Sequence, residues 1–569
     1  MKGIWELNRF SFAFDFVRMY WRTGDDRCAA LFWEAVEDWR RHNRPNAGIN
    51  WKCGQEASLR AFAWCFGLWG FIDSSESTPE RLATLVTMLA TTAGRIEANI
   101  HYALSQQNNH GISEAAGLLT IGLMLPMLRG SERWVQRGRR LLERQARELI
   151  YEDGGFSQYS ANYHRVMLDD YVWAIRIAAN AGRPLSGQLV DRVLRAGRFL
   201  LAIQDRETGR VPRYGHDDGA RVLPLTNCSY DDFRPVLQAV AALDRDSPLP
   251  YGPGPWNEKL LWLFGPDSLN RTSVTVASAD AWKESGYGLM RRNDSFAFVR
   301  GGRFRHRPSQ ADLLHVDIWW RGHNVAIDPG TYSYNAPGRW QSMPFASTAC
   351  HNTVGVDGLD QMERVSRFLF LPWPNAPRYR QVRSPGGQIG LLELQHDGYE
   401  RLADPVAHRR TVVHLGPEHW LIVDQLTAAA QHDYRLHWLF ADVPTAFDAE
   451  AGRLTLAFGD RSYAAQVLSA GGLDISLVRA DRELARGWYA PRYQQLAPAP
   501  SLTARVRAGS FRFFSILGPA DWHATLDEDR LRIAGSEWKA EARIAPIDAA
   551  SPLTTIHWDG EQFDQLEPG

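Results

Sequence analysis

A stretch rich in proline and glycine, Ser247-Pro248-Leu249-Pro250-Tyr251-Gly252-Pro253-Gly254-Pro255, divides the sequence into two parts that obey different periods. Before it, apolar residues recur at three and four over Arg27–Arg41, Gln55–Leu68, Pro79–Glu97, Ser113–Leu128, Ser131–Leu149 and Asp169–Ala181, the spacing of helices with one buried face. Gly24-Asp25-Asp26, Gly111, Gly130-Ser131 and Gly182-Arg183-Pro184 supply stops and starts between them. After it the runs are short, alternating and rich in β-formers: Ser295–Arg300, Leu314–Trp320, Thr411–Leu415, His419–Asp424, Tyr434–Phe440, Leu454–Phe458, Ser510–Leu517 and Leu531–Ile533. No long helical pattern interrupts them, which predicts an antiparallel sandwich. The fold class is therefore multidomain α + β, with a helical domain over 1–255 and a β domain over 270–569. Paired antiparallel helices close equally well into a bundle, a solenoid or an α/α toroid, and helical phase does not choose among them.

With 64 Lys+Arg against 65 Asp+Glu the chain has a net charge of −1, so no global basic field draws it to nucleic acid or to a membrane surface. An acidic polymer needs a local basic cleft instead. The 22 tryptophans exceed ordinary usage; flat rings stack on sugar faces, although most tryptophans serve cores and interfaces. Cys28, Cys53, Cys65, Cys228 and Cys350 lack the spacing of a zinc knuckle or a disulfide framework. The most apolar runs, around Ala61–Ile72 and Ala115–Leu128, are too short to span a bilayer. Met1-Lys2-Gly3-Ile4-Trp5-Glu6 places charge and tryptophan where a secretory signal needs a continuous apolar core.

Two polar clusters stand out among the helical stretches: Asn108-Asn109-His110 and Ser160-Ala161-Asn162-Tyr163-His164. Together they can carry out proton abstraction beside a carboxylate. In a uronate polymer the C5 proton is poorly acidic while the neighbouring carboxylate keeps its full charge, and the glycosidic oxygen must leave from C4. An enzyme must offset that charge, supply a base at C5 and protonate the leaving oxygen. Asn109 and His110 can donate hydrogen bonds to the carboxylate. Tyr163 can act as base when nearby positive charge ionises its phenol, and can return the proton to the bridging oxygen. Tyr163 follows Asn109 by 54 residues, roughly two antiparallel helix-and-turn units, so both clusters can reach one rim of a helical layer. The alternative is that Asn108 and Asn109 cap a helix and Tyr163 packs against a neighbour.

In the β part, Pro308-Ser309-Gln310-Ala311-Asp312-Leu313-Leu314-His315-Val316-Asp317, Asp328-Pro329-Gly330-Thr331-Tyr332 and His351-Asn352-Thr353-Val354 can bring side chains from several strands together. One Asp and one His, joined by an amide or a second carboxylate, would satisfy a structural divalent ion. Strand-end hydrogen bonding and a turn at Asp328-Pro329-Gly330 explain the same residues without a metal.

Taken together these residues resemble the heparinase II/III-like group of polysaccharide lyases over nearly the whole chain. The resemblance is carried by Trp5-Glu6-Leu7-Asn8-Arg9, Gly48-Ile49-Asn50-Trp51, Asn108-Asn109-His110 and Tyr163-His164 in the helical part. In the β part it is carried by Gly286-Tyr287, Asp328 to Tyr334, His351-Asn352-Thr353-Val354, and Gly398-Tyr399 with His408-Arg409-Arg410. It implies an α/α toroid followed by antiparallel β-sandwich layers, with an acidic polysaccharide in the cleft between them. Members break heparan-type glycosaminoglycans, alginate or other uronate polymers by β-elimination. The carboxylate-neutralising position falls on Asn109 with His110, the catalytic tyrosine on Tyr163, and Gln158 and Ser160 become sugar contacts.

The sequence departs from the group's pattern at one place. A catalytic histidine is expected four residues before Asp312, where this chain has Pro308, and a second two residues before it, where it has Gln310. His306, which would share strand parity with 308, 310 and 312, is the preferred replacement, with His315 reached through a bulge as the other. Tyr163 acting alone as base and acid is a further alternative. The resemblance also implies a structural divalent ion, zinc or calcium, at Asp328 and His351 with Gln310 in the third position, where an amide is a weaker zinc ligand than imidazole. Relatives carry further sequence before the segment resembling Trp5–Arg9, so a periplasmic or secreted location is expected despite the missing signal. Two rival readings stay open: a glycoside hydrolase on an α/α barrel, using two of Glu114, Asp153, Asp169 and Asp170, and a noncatalytic binding or export component of an exopolysaccharide pathway.

Overall fold

The computed structural model describes residues 2–274, 281–292, 294–374 and 378–564. Two compact units emerge. One comprises Met1–Gln158, Asn162–Leu201 and Ala220–Ser278, the other Tyr159–Ala161, Ala202–Gly219 and Ala279–Gly569. The helices run on past residue 255 to Phe264, and the packing units exchange the segments 159–161 and 202–219.

In the first unit successive helices alternate in burial. Gly54–Gly70 and Asn109–Met124 are buried on nearly every side, while Pro79–Ser105 and Ser131–Leu149 each bury one stripe. This explains the two apolar runs that are too short for a membrane: they are helices of an inner layer, surrounded by amphipathic partners. Backbones approach closely where the layers meet. A side chain on Gly138 would come within 2.7 Å of the Ala115 carbonyl, so the absent Cβ is what permits the contact. The segment around Trp5–Arg9 is tied to the inner layer by buried polar bonds. Arg9 forms a double hydrogen bond at 2.6 Å with Glu56, and the Trp5 indole donates to the Ile49 carbonyl at 3.0 Å.

Two expected boundaries move. The helix expected from Ser113 begins at Asn109, and the one expected from Asp169 begins at Ala161. Both polar clusters thus form first helical turns, not connections between helices. The apolar repeat starts four residues late in the first helix and eight in the second; first-turn N–H groups have no partner within the helix and favour polar neighbours. Asn108 is the N-cap, its Oδ1 accepting the His110 N–H at 3.0 Å.

The second unit is built from antiparallel sheets. The largest has eight strands, with Ile389–His396, Ala407–Leu415, His419–Thr427 and Phe511–Pro519 at its centre. Val412 pairs with Ile422, and Val423 with Phe514. Alternate residues enter different cores. Leu392, Val412, Trp420 and Ile422 pack with Val299, Ile318, Leu436 and Trp438 of the neighbouring sheets. Leu391, Val413, Leu421 and Val423 pack against Trp522, Ile533 and Ile556 of the C-terminal meander. The eight-stranded sheet is covered on both faces, which is why His419–Thr427 reads as a nearly continuous apolar run. All five cysteines are free thiols. No helix among the described residues is long and apolar enough to cross a membrane.

Candidate active site

Within the helical unit the first polar cluster is tied to the residue that closes the segment just before the second. The Asn109 N–H donates to Gln158 Oε1 at 3.1 Å, and Gln158 lies five residues before Tyr163. The Asn109 carbonyl meets Ser113 Oγ at 3.1 Å one turn on, and that hydroxyl also lies 2.6 Å from Asp170 Oδ2 and accepts from Gln55 Nε2 at 3.1 Å. The main chain of Asn109 is therefore held at both ends. Its side chain is not: Oδ1 is buried with no hydrogen-bond partner among the described residues. A buried amide end left unsatisfied by the protein is costly unless a ligand meets it.

The backbone around these residues is strained, with φ of +49° at both Gln107 and Tyr159. His110 is half-buried with Nδ1 3.9 Å from Cys53 Sγ. Burial pushes the Cys53 thiol up to about 11, so it stands beside the imidazole as a neutral group. Glu114 shares the helical face of His110 one turn on and is pushed up to about 8, also by burial. Tyr163 is half-buried and occupies the third position of the helix Ala161–Asn180. Its neighbour Asn162 is fixed through Oδ1, which accepts from Arg165 at 2.7 Å and from the Tyr230 hydroxyl at 2.8 Å. Arg165 stacks on the Tyr230 and Phe233 rings at 4.2 and 4.5 Å. Asn109, His110 and Tyr163 all lie in first helical turns, where the positive end of the helix dipole favours a carboxylate.

Of the four carboxylates considered for a hydrolase, Glu114 shares the face of His110 and Asp170 meets the Ser113 hydroxyl, while the other two are engaged elsewhere. Asp169 forms a buried ion pair with Lys259 at 2.6 Å, and burial raises Asp170 well above the ordinary carboxyl value. Asp153 accepts from the Gly155 N–H at 3.2 Å in a turn.

The β unit holds the remaining candidates. Ser160 is buried, and its hydroxyl donates to the His216 carbonyl at 2.5 Å. Gly215, at φ +76°, allows this approach, since a Cβ there would fall 1.9 Å from the Tyr159 carbonyl. The Tyr159 hydroxyl accepts from the main-chain N–H of Arg305 at 3.0 Å and of His306 at 3.4 Å. Arg300 sits 4.6 to 4.8 Å from the rings of Tyr159, Tyr287 and Phe304. Residues 301–315 are loop and turn, and the strand expected from Leu314 begins at Val316. Strand parity therefore does not link His306 to 308, 310 and 312. His306 is half-buried, and burial first, then Arg305, lowers its basicity. His315 has both nitrogens engaged: Nδ1 accepts the Asn352 N–H at 2.9 Å, and Nε2 faces Asp317 at 3.2 Å.

The trio expected to hold a divalent ion does not fit one. Gln310 Oε1 accepts the Gly215 N–H at 3.1 Å, leaving an NH2 group, which cannot ligate a cation, as the amide's unsatisfied end. Asp328 and His351 face each other at 3.5 Å, and the second Asp328 oxygen accepts the Gly330 N–H at 2.7 Å. Burial works against both charges, yet Asp328 raises His351 to about 9 and His351 keeps Asp328 below its ordinary value. Among the described residues no three His, Cys, Asp or Glu side chains form a metal-binding group.

Sequence reading missed the supports. Ser113 and Glu114 follow Asn109 and His110 by one helical turn, a spacing visible in the chain once the helix start is known. Tyr159, His216 and Arg300 left no local signal. Arg410, quoted from the sequence only as part of the resemblance, bonds Asp424 at 2.7 and 2.8 Å and donates to the carbonyls of Leu314 and Asn352 at 2.6 and 2.5 Å, fixing the backbone beside His315 and His351.

Layered helices followed by stacked antiparallel sheets define a protein of the toroid-and-sandwich class. Residues 3–196 match the family described as Heparinase II/III N-terminus, and residues 275–537 the one described as Heparinase II/III-like, C-terminal. The chain belongs to the heparinase II/III-like family. It is 22% identical over 438 residues to a heparin-sulfate lyase of Bacteroides thetaiotaomicron, a match covering 74% of this chain and 58% of that protein. To the heparin-sulfate lyase of Pedobacter heparinus it is 21% identical over 542 residues, covering 91% of this chain and 74% of that one. Its fold is similar to a crystal structure of heparinase III, with a TM-score of 0.71 and 17% identity over 98% of this chain and 82% of the other. A second heparinase III structure gives a TM-score of 0.69 at 19% identity, covering 98% and 84%. The architecture is an α/α toroid followed by an antiparallel β-sandwich.

Proposed function

We propose that this chain is a polysaccharide lyase that breaks a uronate-containing polymer, a glycosaminoglycan, alginate or bacterial exopolysaccharide, by β-elimination in a periplasmic or secreted setting. The placement of Asn109 and His110 together in one first helical turn, with the Asn109 main chain tied to Gln158, is the observation that carries the reading, and the lyase names of its relatives support it. The Asn109 side-chain NH2 group and His110 donate hydrogen bonds to the uronate carboxylate and stabilise the charge that grows as C5 loses its proton. Tyr163 as phenolate takes that proton. The C4–O bond breaks, a C4–C5 double bond forms, and the phenol proton passes to the departing oxygen, so atoms and charge balance without an added water. Gln158 holds the Asn109 backbone and Ser160 the His216 carbonyl, and His306 is the candidate of the β unit. The helical domain is proposed to span 1–255 and the β domain 270–569.

The test is product analysis on heparan sulfate, hyaluronan, chondroitin, alginate and uronate-containing exopolysaccharides. A lyase yields an unsaturated uronate end that absorbs ultraviolet light, whereas a hydrolase yields saturated ends. A noncatalytic polysaccharide-binding or export role is the second reading, favoured by Pro308 and Gln310 where the family carries histidines and by the full engagement of His315. Polymer binding with no unsaturated product from any substrate would select it.

A further inference from the structure

We propose that a groove on the helical unit is a second polyanion-binding site, which holds the acidic polysaccharide beyond the sugar being cleaved. The identity of the polymer rests on the lyase reading; the existence of the site does not. The groove, about 670 Å³ in volume, lies between the helices Pro79–Ser105 and Ser131–Leu149. Arg133, Arg137, Arg140 and Arg144 line it from the second helix. Their spacings of four, three and four place them on one face, in a row about 16 Å long at 1.5 Å per residue. Glu97 is the one carboxylate in the lining. It bonds Arg133 at 2.7 and 2.8 Å and stands 3.7 Å from Arg137, so it neutralises one end of the row only.

At the other end the charge is available. Arg140 is exposed, and Arg144 has only the exposed Glu148 at 3.6 Å, an i,i+4 pair worth little in water. In a chain of net charge −1 this is a local excess of arginine. The open end also points to the candidate active site. Gly111 packs against Gln145, where an added Cβ would lie 2.5 Å from Oε1, so Arg144 sits at the Asn109 end of the neighbouring helix. Ser105, in the groove wall, precedes Asn109 by four residues.

The chemistry of the lining selects the ligand. Guanidinium forks match carboxylate and sulfate groups, and a row of them suits a chain that repeats its charges. Leu104 and Leu141 give an apolar floor for sugar faces, while Ser105 and Gln136 can bond hydroxyls. His101, 3.3 Å from Arg137, is the one ring in the lining, and no Phe, Tyr or Trp is there to build the stacking platform used to bind single-stranded nucleic acid. A sulfated or carboxylated polysaccharide fits best.

The experiment compares the full chain with Arg140→Gln/Arg144→Gln and Arg140→Glu/Arg144→Glu, titrated with heparan sulfate, alginate and a single-stranded polynucleotide at rising salt. Thermal unfolding checks that the exposed substitutions leave the fold intact. For the polysaccharide that binds, the charge-reversed variant is expected to be weaker by about tenfold at low salt and the neutral variant by about threefold, both gaps closing as salt rises. Equal affinity of all three proteins at every salt concentration overturns the proposal, as does tighter binding of the polynucleotide than of either polysaccharide, or no polysaccharide binding by the parent chain. Binding that responds to the variants without unsaturated product supports the groove and counts against the lyase reading alone.

Discussion

The candidate residues of the helical unit and those of the β unit are positioned by different means. Asn109 and His110 take their places from a helix start: a cap one residue before, Ser113 and Glu114 one turn after, and a single long-range tie to Gln158. His315 and His351 are set by partners far away in the chain. Asn352 reaches His315 across 37 residues, and Arg410 reaches the Leu314 carbonyl across 96. A helix delivers a constellation locally and tolerates change nearby, whereas a sheet site is only as firm as the polar network beneath it. Mutations in the two units should fail in different ways.

The largest effect belongs to that network. Arg410 and His408 both donate to buried Asp424, at 2.7 Å each, and Arg410→Met strips the carboxylate of its principal partner. Loss of about 3–5 kcal/mol of stability is expected in denaturant titrations, since an unpaired charge is left in the core. Asn109→Ala should instead leave unfolding nearly unchanged and raise the barrier by about 3–4 kcal/mol, as when one oxyanion donor is removed. Measured as kcat, that is a fall of two to three orders of magnitude. Should Arg410→Met cost only rate, or Asn109→Ala cost stability, the contrast between the units fails.

A pH titration sharpens it. Burial pushes the Glu114 carboxyl up to about 8 from its ordinary 4.5, so the folded state binds the proton more tightly than the unfolded chain. The stability this group contributes is present below its unfolded pKa and is lost as pH rises through the window from about 4.5 to about 8. Its slope is at most about 1.4 kcal/mol per pH unit. Glu114→Gln, compared with the parent chain in denaturant melts across that window, should remove this slope; an unchanged slope would place the buried proton elsewhere. The smallest effect is expected for Ser160→Ala, which removes one buried hydrogen bond to His216, at about 1 kcal/mol. Stability should fall by that amount with little change in KM, whereas a large rise in KM alone would make Ser160 a sugar contact.

The same contrast explains what the sequence revealed. Helical periodicity placed Ser131–Leu149 to the residue, and alternation placed Ser295–Arg300. Asn109, His110 and Tyr163 were legible because polar residues interrupt apolar runs there, although their helices begin four and eight residues earlier than the apolar pattern does. Positions 306 to 312 were given strand parity, and the next strand was begun two residues early at Leu314, because alternation was carried back through a loop held by Tyr159 and Arg300, partners with no signature within reach of a local pattern. Gln310 could be named as a ligand position from resemblance, yet which amide end faces outward depends on Gly215, 95 residues away.

The most direct test follows ultraviolet absorbance and polymer binding together for the parent chain and Tyr163→Phe, on the polysaccharide that gives product. The account predicts that the variant loses turnover, by at least about a thousandfold, while binding the polymer with nearly the parent's affinity. A variant that kept the parent's rate would contradict it, and the proton would then have to be carried by a group other than Tyr163.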